Sequence, residues 1–238
     1  MSVEFTKENI NIYFKELGKI FRKLNGTKMR AEIILIGGGA ILANYEFREM
    51  TTDIDAVIRS SSVMKEAITY VSDKYNLPWD WLNEGFKNTE SFSEKIDEIS
   101  VYYKTFSNVL EIRTVSAEYL IAMKLMSGRL YKNDLSDIAG ILLEHEKRST
   151  TISKESIEKA LIKLYGQKSI PVTSALLLDE VFKSKDLEDT YYKYRESEVE
   201  AKDIIIKFDK ENPGKLKGEN ITGIIEQVRK KMKDAESV

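Results

Sequence analysis

Two aspartates separated by one residue, Asp53 and Asp55, are the side chains in this sequence best suited to chemistry. Asp55 lies within an apolar, β-branched run, residues 54–58, which predicts a strand. Residues i and i+2 of a strand point to one face, so both carboxylates face the same ligand with Cβ atoms roughly 6 to 7 Å apart. Two such charges are stable when a cation lies between them, and magnesium or manganese binds carboxylate and phosphate oxygens. The alternative is a solvated strand end.

Gly37, Gly38 and Gly39 follow another short apolar run, residues 32–36, and precede a helix that we expect to begin at Ala40. Glycine lets the backbone approach a ligand closely, and the N–H groups and dipole of a helix start favour a phosphate. A turn that needs positive φ explains the glycines equally well. Beside the two aspartates, however, they predict a site for a metal ion and the phosphates of a nucleotide.

Arg48 lies five residues before Asp53 and adds a cation to this stretch. Its planar guanidinium can hold a phosphate with two parallel hydrogen bonds, or neutralise the acidic pair when no nucleotide is bound. A loop salt bridge with Glu46 or Glu49 is the structural alternative. Arg48 is therefore a candidate phosphate ligand.

The elements that carry these residues alternate between helix and strand, which predicts an α/β domain. Apolar residues spaced three and four apart over 7–24 indicate an amphipathic helix that covers a sheet. A further helix is expected over 62–75, with Ser62 as its N-cap. Two strands within 99–113 predict a hairpin. The segment 77–82, with a proline and two tryptophans, fits a loop, a short helix or a lid.

Helical spacing dominates from Ser116 onward. We therefore predict an α/β (α+β) domain at 1–115, with a mixed sheet and flanking helices, and an α-helical domain at 116–238. The helices of the second domain are expected at about 116–129, 134–147, 154–165, 173–184, 187–209 and 220–235.

The order of the first motifs resembles that of the nucleotidyltransferase superfamily. In that superfamily a Gly-Gly or Gly-Ser turn is followed by an Asp-x-Asp strand, as Gly37-Gly38 is followed here by Thr51-Thr52-Asp53-Ile54-Asp55. The resemblance extends over about residues 33–143 and implies a nucleotidyltransferase-like mixed sheet. Gly-Gly in place of Gly-Ser removes a hydroxyl that could contact phosphate and leaves this task to backbone amides.

A later stretch resembles the helical motif Leu-x-x-x-Lys-Leu…Arg…Asp-x-x-Asp of the AbiEii-like branch of this superfamily. That branch includes toxins of bacterial toxin–antitoxin and phage-defence systems, which implies a cognate antitoxin protein as a candidate partner. The residues that carry this resemblance are Leu120, Lys124, Leu125, Arg129, Asp134 and Asp137.

The resemblance implies a metal-dependent enzyme that moves a nucleotidyl group from a nucleoside triphosphate to a hydroxyl acceptor, which could be RNA, a protein or a small molecule. Gly37 and Gly38 would position the phosphates, and Asp53 and Asp55 would bind Mg2+ or Mn2+. Lys124 would contact the triphosphate or its developing charge. The remaining nucleotide-binding candidates are Gly39, Arg48, Thr52 and Asp137.

The superfamily usually has a third carboxylate on a later strand, as metal ligand or general base. Glu111, in the alternating run 109–113, is the candidate, and an outward-facing strand residue is its alternative. Lys124 lies in an otherwise apolar helix face, where an ammonium group needs phosphate or carboxylate oxygens beside it. Lys124 could instead reach solvent or pair with Asp134 or Asp137.

Composition excludes several other classes of site. The chain has no cysteine and one histidine, which excludes disulfides, a Cys nucleophile, and thiolate or His-rich metal sites. The 37 Lys and Arg residues nearly balance the 39 Asp and Glu residues, so the chain as a whole does not attract a polyanion. We see neither a signal-peptide pattern nor a membrane span and expect a cytoplasmic protein without a membrane partner.

Two other functions stay open at this point. The first is a nucleotide-binding protein that has lost catalysis together with the third carboxylate. The second is a protein-interaction module whose helical domain binds a partner. The aromatic residues that could stack on a nucleobase, or pack in the core instead, are Trp79, Trp81, Tyr102 and Tyr103.

Overall fold

A computed structural model describes residues 3–236 of the chain. It divides into two compact units, each built from two segments. The first unit comprises residues up to Met123 together with Ile152–Lys168, and the second comprises Lys124–Thr151 and the residues from Ser169 onward. The division at residue 115 stays a prediction.

The order of elements confirms a mixed α/β sheet followed by helices. The strands are β1 (Phe5–Thr6), β2 (Ala31–Leu35), β3 (Met50–Thr51), β4 (Ile54–Arg59), β5 (Leu82–Asn83), β6 (Ser100–Phe106) and β7 (Leu110–Val115). The helices are α1 (Lys7–Asn25), α2 (Gly37–Asn44), α3 (Val63–Tyr75), α4 (Ile96–Ile99), α5 (Ala117–Ser127), α6 (Asp134–Lys147), α7 (Lys154–Tyr165), α8 (Val172–Lys183), α9 (Leu187–Glu211) and α10 (Ile221–Glu236). In the part of the chain that the structure describes, no helix is long and apolar enough to cross a membrane.

Five strands of the first unit form one sheet in the order β5-β4-β2-β7-β6, and β1 pairs separately with β3. The central strand β2 is antiparallel to β4 and parallel to β7. Because β2 and β4 run in opposite directions, the end of β2 lies beside the beginning of β4. The residues after β2 and the residues that open β4 are therefore brought to the same edge of the sheet.

Two details of the first unit differ from the expectation. Helix α2 begins at Gly37 and not at Ala40, so the glycines form its first turn. Gly37 has φ 54°, a left-handed conformation that reverses the chain as it leaves β2. Ser62 is at the N-cap position of α3, as expected, but its backbone is helical and its side chain accepts no capping hydrogen bond from the first turn.

The segment 77–82 is a turn that leads into β5. The backbone N–H of Trp81 donates to the carbonyl of Pro78 at 3.0 Å, which closes the turn. Trp81 is 1% exposed and packs against the rings of Phe5, Tyr13 and Phe14. This segment is therefore anchored in the core of the first unit by one of its two tryptophans.

The predicted hairpin is confirmed as β6 and β7, which pair antiparallel. Ser107 and Asn108, the residues between them, have φ 53° and 60°. Two consecutive positive φ values suit the right-handed twist of the flanking strands.

In the second unit, α9 supplies a buried carboxylate to the first turn of α6. Oε1 of Glu198 accepts hydrogen bonds from the backbone N–H of Leu135, at 2.7 Å, and of Ser136, at 3.3 Å. Its other oxygen accepts from the Ser136 hydroxyl. Because the first N–H groups of a helix have no partner within it, Glu198 satisfies donors that α6 would otherwise bury.

Burial raises the pKa of Glu198 to about 8, and the charge of Asp137 also raises it, although the hydrogen bonds from Ser136 and Leu135 lower it. A carboxyl group with a raised folded-state pKa stabilises the fold fully below its unfolded pKa and loses that contribution as pH rises through the folded pKa. We therefore expect the free energy of unfolding to fall between about pH 5 and pH 8, by at most about 5 kcal/mol.

Urea denaturation at a series of pH values measures this slope. Glu198→Gln retains hydrogen-bonding atoms at this position and cannot titrate, so its stability should change less over the same window. A variant curve that is parallel to that of the unmodified chain would contradict the assignment to Glu198.

Candidate functional site

Asp53 and Asp55 stand at the beginning of β4 and border the same cavity. Asp53 directly precedes the strand, and Asp55 is its second residue. The cavity has a volume of about 440 Å³, and Thr52 and Asn83 also line it. The two carboxylates therefore face one space, as their spacing predicted.

The first turn of α2 lies next to Asp55. The backbone N–H of Ile36, the residue that precedes the helix, donates to the carbonyl of Asp55 at 3.0 Å. A Cβ placed on Gly37 would lie 3.8 Å from Oδ2 of Asp55. The Ile36 side chain makes no capping hydrogen bond, so it satisfies none of the N–H groups with which the helix opens. The first turn of α2 and the carboxylate of Asp55 are therefore neighbours at this edge of the sheet.

Gly38 is required because other groups fill the space that a side chain would take. A Cβ at this position would lie 2.5 Å from the hydroxyl oxygen of Thr51 and 3.2 Å from Nη2 of Arg48. The Thr51 hydroxyl donates to the carbonyl of Asp53 at 3.2 Å and lies 3.4 Å from its Oδ1. Thr51 is 3% exposed, and its hydroxyl therefore links the glycine turn to Asp53.

Arg48 is held beside the glycine turn by its own backbone segment. Its Nε donates to the carbonyl of Met50 at 3.1 Å, which directs the terminal nitrogens toward Gly38. The arginine therefore lies at the helix start where a phosphate is expected.

The donors at this edge fit a magnesium ion. Among residues 3–236, no group of three or more His, Cys, Asp or Glu side chains is arranged to hold a metal. Magnesium is commonly bound through one or two carboxylates, with water and substrate phosphates completing its six oxygens. Asp53 and Asp55 supply two carboxylates on one cavity, next to a helix start that favours phosphate.

Glu111 is not brought to the aspartates. In the backbone register of the sheet, Glu111 lies opposite Glu32 on β2, and Glu32 lies opposite Arg59 on β4. Arg59 is four residues beyond Asp55, about 13 Å along the strand. Oε1 of Glu111 accepts from Nη1 of Arg113 at 2.8 Å. The expected three-carboxylate site is therefore absent from the described residues, because the parallel register aligns Glu111 with the beginning of β2 and not with its end.

Lys124 lies in the second unit with its charge balanced by carboxylates. Its Nζ is 2.7 Å from Oδ1 of Asp134 and 2.9 Å from Oδ2 of Asp137. Nε of Arg129 donates to Oδ2 of Asp134 at 2.9 Å. Burial opposes ionisation of Asp134, but Lys124 and Arg129 together hold its pKa well below its usual range. The structure thus shows the carboxylate pairing that the sequence left as an alternative to a phosphate contact.

Thr51 contributes to the site although only its neighbour Thr52 was expected from the sequence to do so. Thr52 lines the cavity, whereas the Thr51 hydroxyl makes the contact that fixes Asp53. A signal was present, since a glycine that replaces the usual serine leaves space for a hydroxyl from a neighbouring segment. The sequence alone does not say which residue supplies it.

Residues 13–161 match a family model described as "Nucleotidyltransferase of unknown function (DUF6036)". This match covers more than half of the chain and includes the glycine turn, both aspartates and Lys124. The chain belongs to this nucleotidyltransferase family. No curated protein and no solved structure matches it. The match supports the superfamily that the motifs indicated and does not single out the AbiEii-like branch.

For this nucleotidyltransferase, we predict that Gly38→Ala destabilises the first unit by about 1–3 kcal/mol, because the new methyl group must displace the Thr51 hydroxyl. Displacement also releases Asp53, so the affinity for a magnesium–nucleotide complex should fall. Thermal unfolding and calorimetric titration measure the two effects.

Gly223→Ala is the matched control, because a Cβ at Gly223 would meet no atom within 4 Å. In a Gly38→Ala/Thr51→Ala variant the hydroxyl is gone, and stability should be partly restored while nucleotide affinity stays low. Equal stability of the Gly38 and Gly223 variants would show that Thr51 does not constrain this position.

We predict that Lys124→Met lowers the free energy of unfolding by about 3–5 kcal/mol, because it removes the ammonium group that the buried carboxylates of Asp134 and Asp137 share and leaves Asp134 with Arg129. Lys147→Met is the control, since it removes only an exposed pair with Glu188 and should cost less than about 1 kcal/mol. Urea denaturation compares them. If Lys124 serves only to bind phosphate, both variants will be equally stable.

Proposed function

We propose that this protein transfers a nucleotidyl group from a nucleoside triphosphate to a hydroxyl acceptor, with Mg2+ or Mn2+ held by Asp53 and Asp55. The observation that carries the proposal is the junction of the α2 start with these two carboxylates at one sheet edge. A Cβ placed on Gly37 would lie 3.8 Å from Oδ2 of Asp55, and both carboxylates border one cavity. A helix start favours phosphate, and the carboxylates favour a divalent cation.

In such a transfer, some residues of the first unit bind the phosphates and others hold the cation. The amides of Gly37, Gly38 and Gly39 bind the phosphates that leave, and the guanidinium of Arg48 donates to them. Asp53 and Asp55 hold the cation, which neutralises phosphate charge when bound. The acceptor oxygen forms a bond to the α-phosphorus, the bond from that phosphorus to the bridging oxygen breaks, and pyrophosphate leaves. Positioning and electrostatics supply most of the rate in such reactions.

Thr51 contributes to this scheme through Asp53. Its hydroxyl bonds to the Asp53 backbone carbonyl and fills the place of a residue-38 side chain. In the superfamily pattern a serine can follow the first glycine. Here a threonine from β3 brings a hydroxyl to that location, but it is directed at Asp53.

Lys124, Asp137 and Glu111 are outside the proposed set. Lys124 and Asp137 pair with each other in the second unit, and Glu111 pairs with Arg113 away from the aspartates. Among the described residues, the carboxylates that border the cavity are those of Asp53, Asp55 and Asp80, so Asp80 is the one outside the metal-binding pair. The proposed transfer delivers the proton of the acceptor hydroxyl to Asp80 or to water.

The acceptor is proposed as RNA, a protein or a small molecule. A role as the toxin of a toxin–antitoxin or phage-defence system, with a cognate antitoxin as partner in the cytoplasm, rests on the helical motif of residues 120–137 alone. Identification of the labelled acceptor decides among these possibilities.

A second candidate function is nucleotide binding without transfer. The specific observation in its favour is the position of Glu111. Among the described residues, no third carboxylate is arranged with Asp53 and Asp55 to hold a metal, although Asp80 borders the same cavity. This protein would still bind a magnesium–nucleotide complex at the glycine turn. It differs from the first candidate only in transferring no label.

We predict that purified protein, incubated with each α-labelled nucleoside triphosphate, Mg2+ or Mn2+, and total cellular RNA or protein, transfers label to one acceptor class. Asp53→Asn/Asp55→Asn should lower the transfer at least about 100-fold, because it removes both metal-binding carboxylates. Chelation of the divalent cation should abolish transfer by the unmodified protein.

Glu66→Gln/Asp73→Asn is the matched control, since it removes the same charge from exposed positions of α3. Transfer by the control at the unmodified rate assigns the loss to the site. Undiminished transfer by the Asp53/Asp55 variant would refute the proposal. Magnesium-dependent nucleotide binding without transfer would favour the second candidate.

A further inference from the structure

Trp79 is exposed although the other tryptophan in the same turn is buried. The Trp79 side chain is 85% exposed, whereas Trp81, two residues later, is 1% exposed. Large aromatic side chains gain most from burial, and an isolated exposed indole forfeits that gain. The position of Trp79 therefore calls for an explanation other than core packing.

The turn that carries Trp79 is fixed on both sides. Before it, the Ser72 hydroxyl donates to the carbonyl of Leu77 at 2.8 Å. After it, Nε1 of Trp81 donates to the carbonyl of Ile68 at 3.4 Å. With the hydrogen bond from Trp81 to Pro78 that closes the turn, these contacts hold the backbone of Trp79 in one position. The indole is presented to solvent by a rigid segment.

This rigid turn lies at the edge of the sheet that carries the aspartates. Strand β5 follows the turn and pairs in parallel with β4, with Leu82 opposite Ile54 and Asn83 opposite Asp55. Because parallel strands begin at the same edge, residues just before β5 lie beside residues just before β4. Trp79, Asp53 and Asp55 accordingly line the same cavity of about 440 Å³.

The order of strands places the cavity and the glycine turn on opposite sides of Asp55. The glycine turn follows β2, the cavity is bordered by residues before and within β5, and β4 lies between these strands. If the departing phosphates lie on the α2 start, the nucleoside must extend from the α-phosphorus to a neighbouring space. The cavity is such a space, and its outer wall is a flat aromatic ring.

We propose that Trp79 is the surface on which the base of the donor nucleotide stacks, an inference that rests on the proposed function of this site. Every base has a π-face, so stacking tolerates all four nucleotides. The side chain of Asn83, which could read a base edge, is already engaged, because its Oδ1 accepts from the backbone N–H of Gly85 at 2.8 Å. We therefore expect weak discrimination among the four bases.

The experiment uses the intrinsic fluorescence of the whole chain, which contains two tryptophans. Trp81 is buried and should respond little, so quenching reports on Trp79. The probes are the four nucleoside triphosphates as α,β-methylene analogues, which are not cleaved, each with Mg2+. Tripolyphosphate with Mg2+ is the probe without a base. We expect each analogue to quench the exposed indole and tripolyphosphate to bind without quenching.

Calorimetric titration of variants supplies the second readout. Trp79→Ala should weaken binding of the analogues roughly 10- to 100-fold and leave tripolyphosphate binding unchanged, whereas Trp79→Phe should retain most of the affinity. Tyr102→Ala is the control, because Tyr102 is 61% exposed on β6, at the opposite edge of the sheet. It should bind as the unmodified protein does.

Failure of this inference is distinguishable from failure of the proposed function. If the analogues bind the Trp79→Ala variant with unchanged affinity and Asp53→Asn/Asp55→Asn abolishes binding, the stacking role is refuted and the site stands. Quenching by RNA alone, without quenching by any nucleotide analogue, also refutes it. If neither the analogues nor tripolyphosphate bind the unmodified protein in the presence of Mg2+, both the proposed function and the stacking role are refuted.

Discussion

The antiparallel pairing of β2 with β4 is the constraint on which the candidate site depends. It places the end of β2 beside the beginning of β4, so the helix start that follows one strand meets the carboxylates that open the other. Backbone hydrogen bonds fix this arrangement, including that from Ile36 to Asp55. The parallel pairing of β5 with β4 then adds the Trp79 turn to the same edge. Two strand pairings thus assemble residues that are up to 42 positions apart in sequence.

Small side chains at the glycine turn make this assembly possible. The approach of α2 to β4 leaves no space for a Cβ at Gly38, because the Thr51 hydroxyl occupies it, and Gly39 packs against Ile54. Because the Thr51 hydroxyl contacts both Gly38 and Asp53, close packing here fixes the position of Asp53 relative to α2. The site is therefore shaped by backbone and packing as much as by the charged groups that would perform chemistry.

Local patterns predicted the elements, and pairing register decided what the sequence could not. The spacing of Asp53 and Asp55 was enough to place both carboxylates on one cavity, because alternation along a strand is a local property. Glu111 also lies in a strand, as expected, but which end of the sheet it occupies depends on its alignment with β2, which is not encoded nearby. Likewise, no local pattern distinguishes the buried Trp81 from the exposed Trp79, since both belong to one turn. The ion pairs of Lys124 were among the alternatives because an ammonium group in an apolar helix face needs carboxylate or phosphate oxygens beside it.

The proposed transfer requires that Asp53 and Asp55 hold a divalent cation against phosphates at the start of α2. A crystal structure with Mn2+ and an α,β-methylene nucleoside triphosphate, with anomalous scattering recorded for manganese, tests it most directly. We predict a manganese peak in contact with carboxylate oxygens of both aspartates, and phosphate density over Gly37, Gly38 and Gly39. A nucleotide bound elsewhere, or manganese without either aspartate among its ligands, would contradict it.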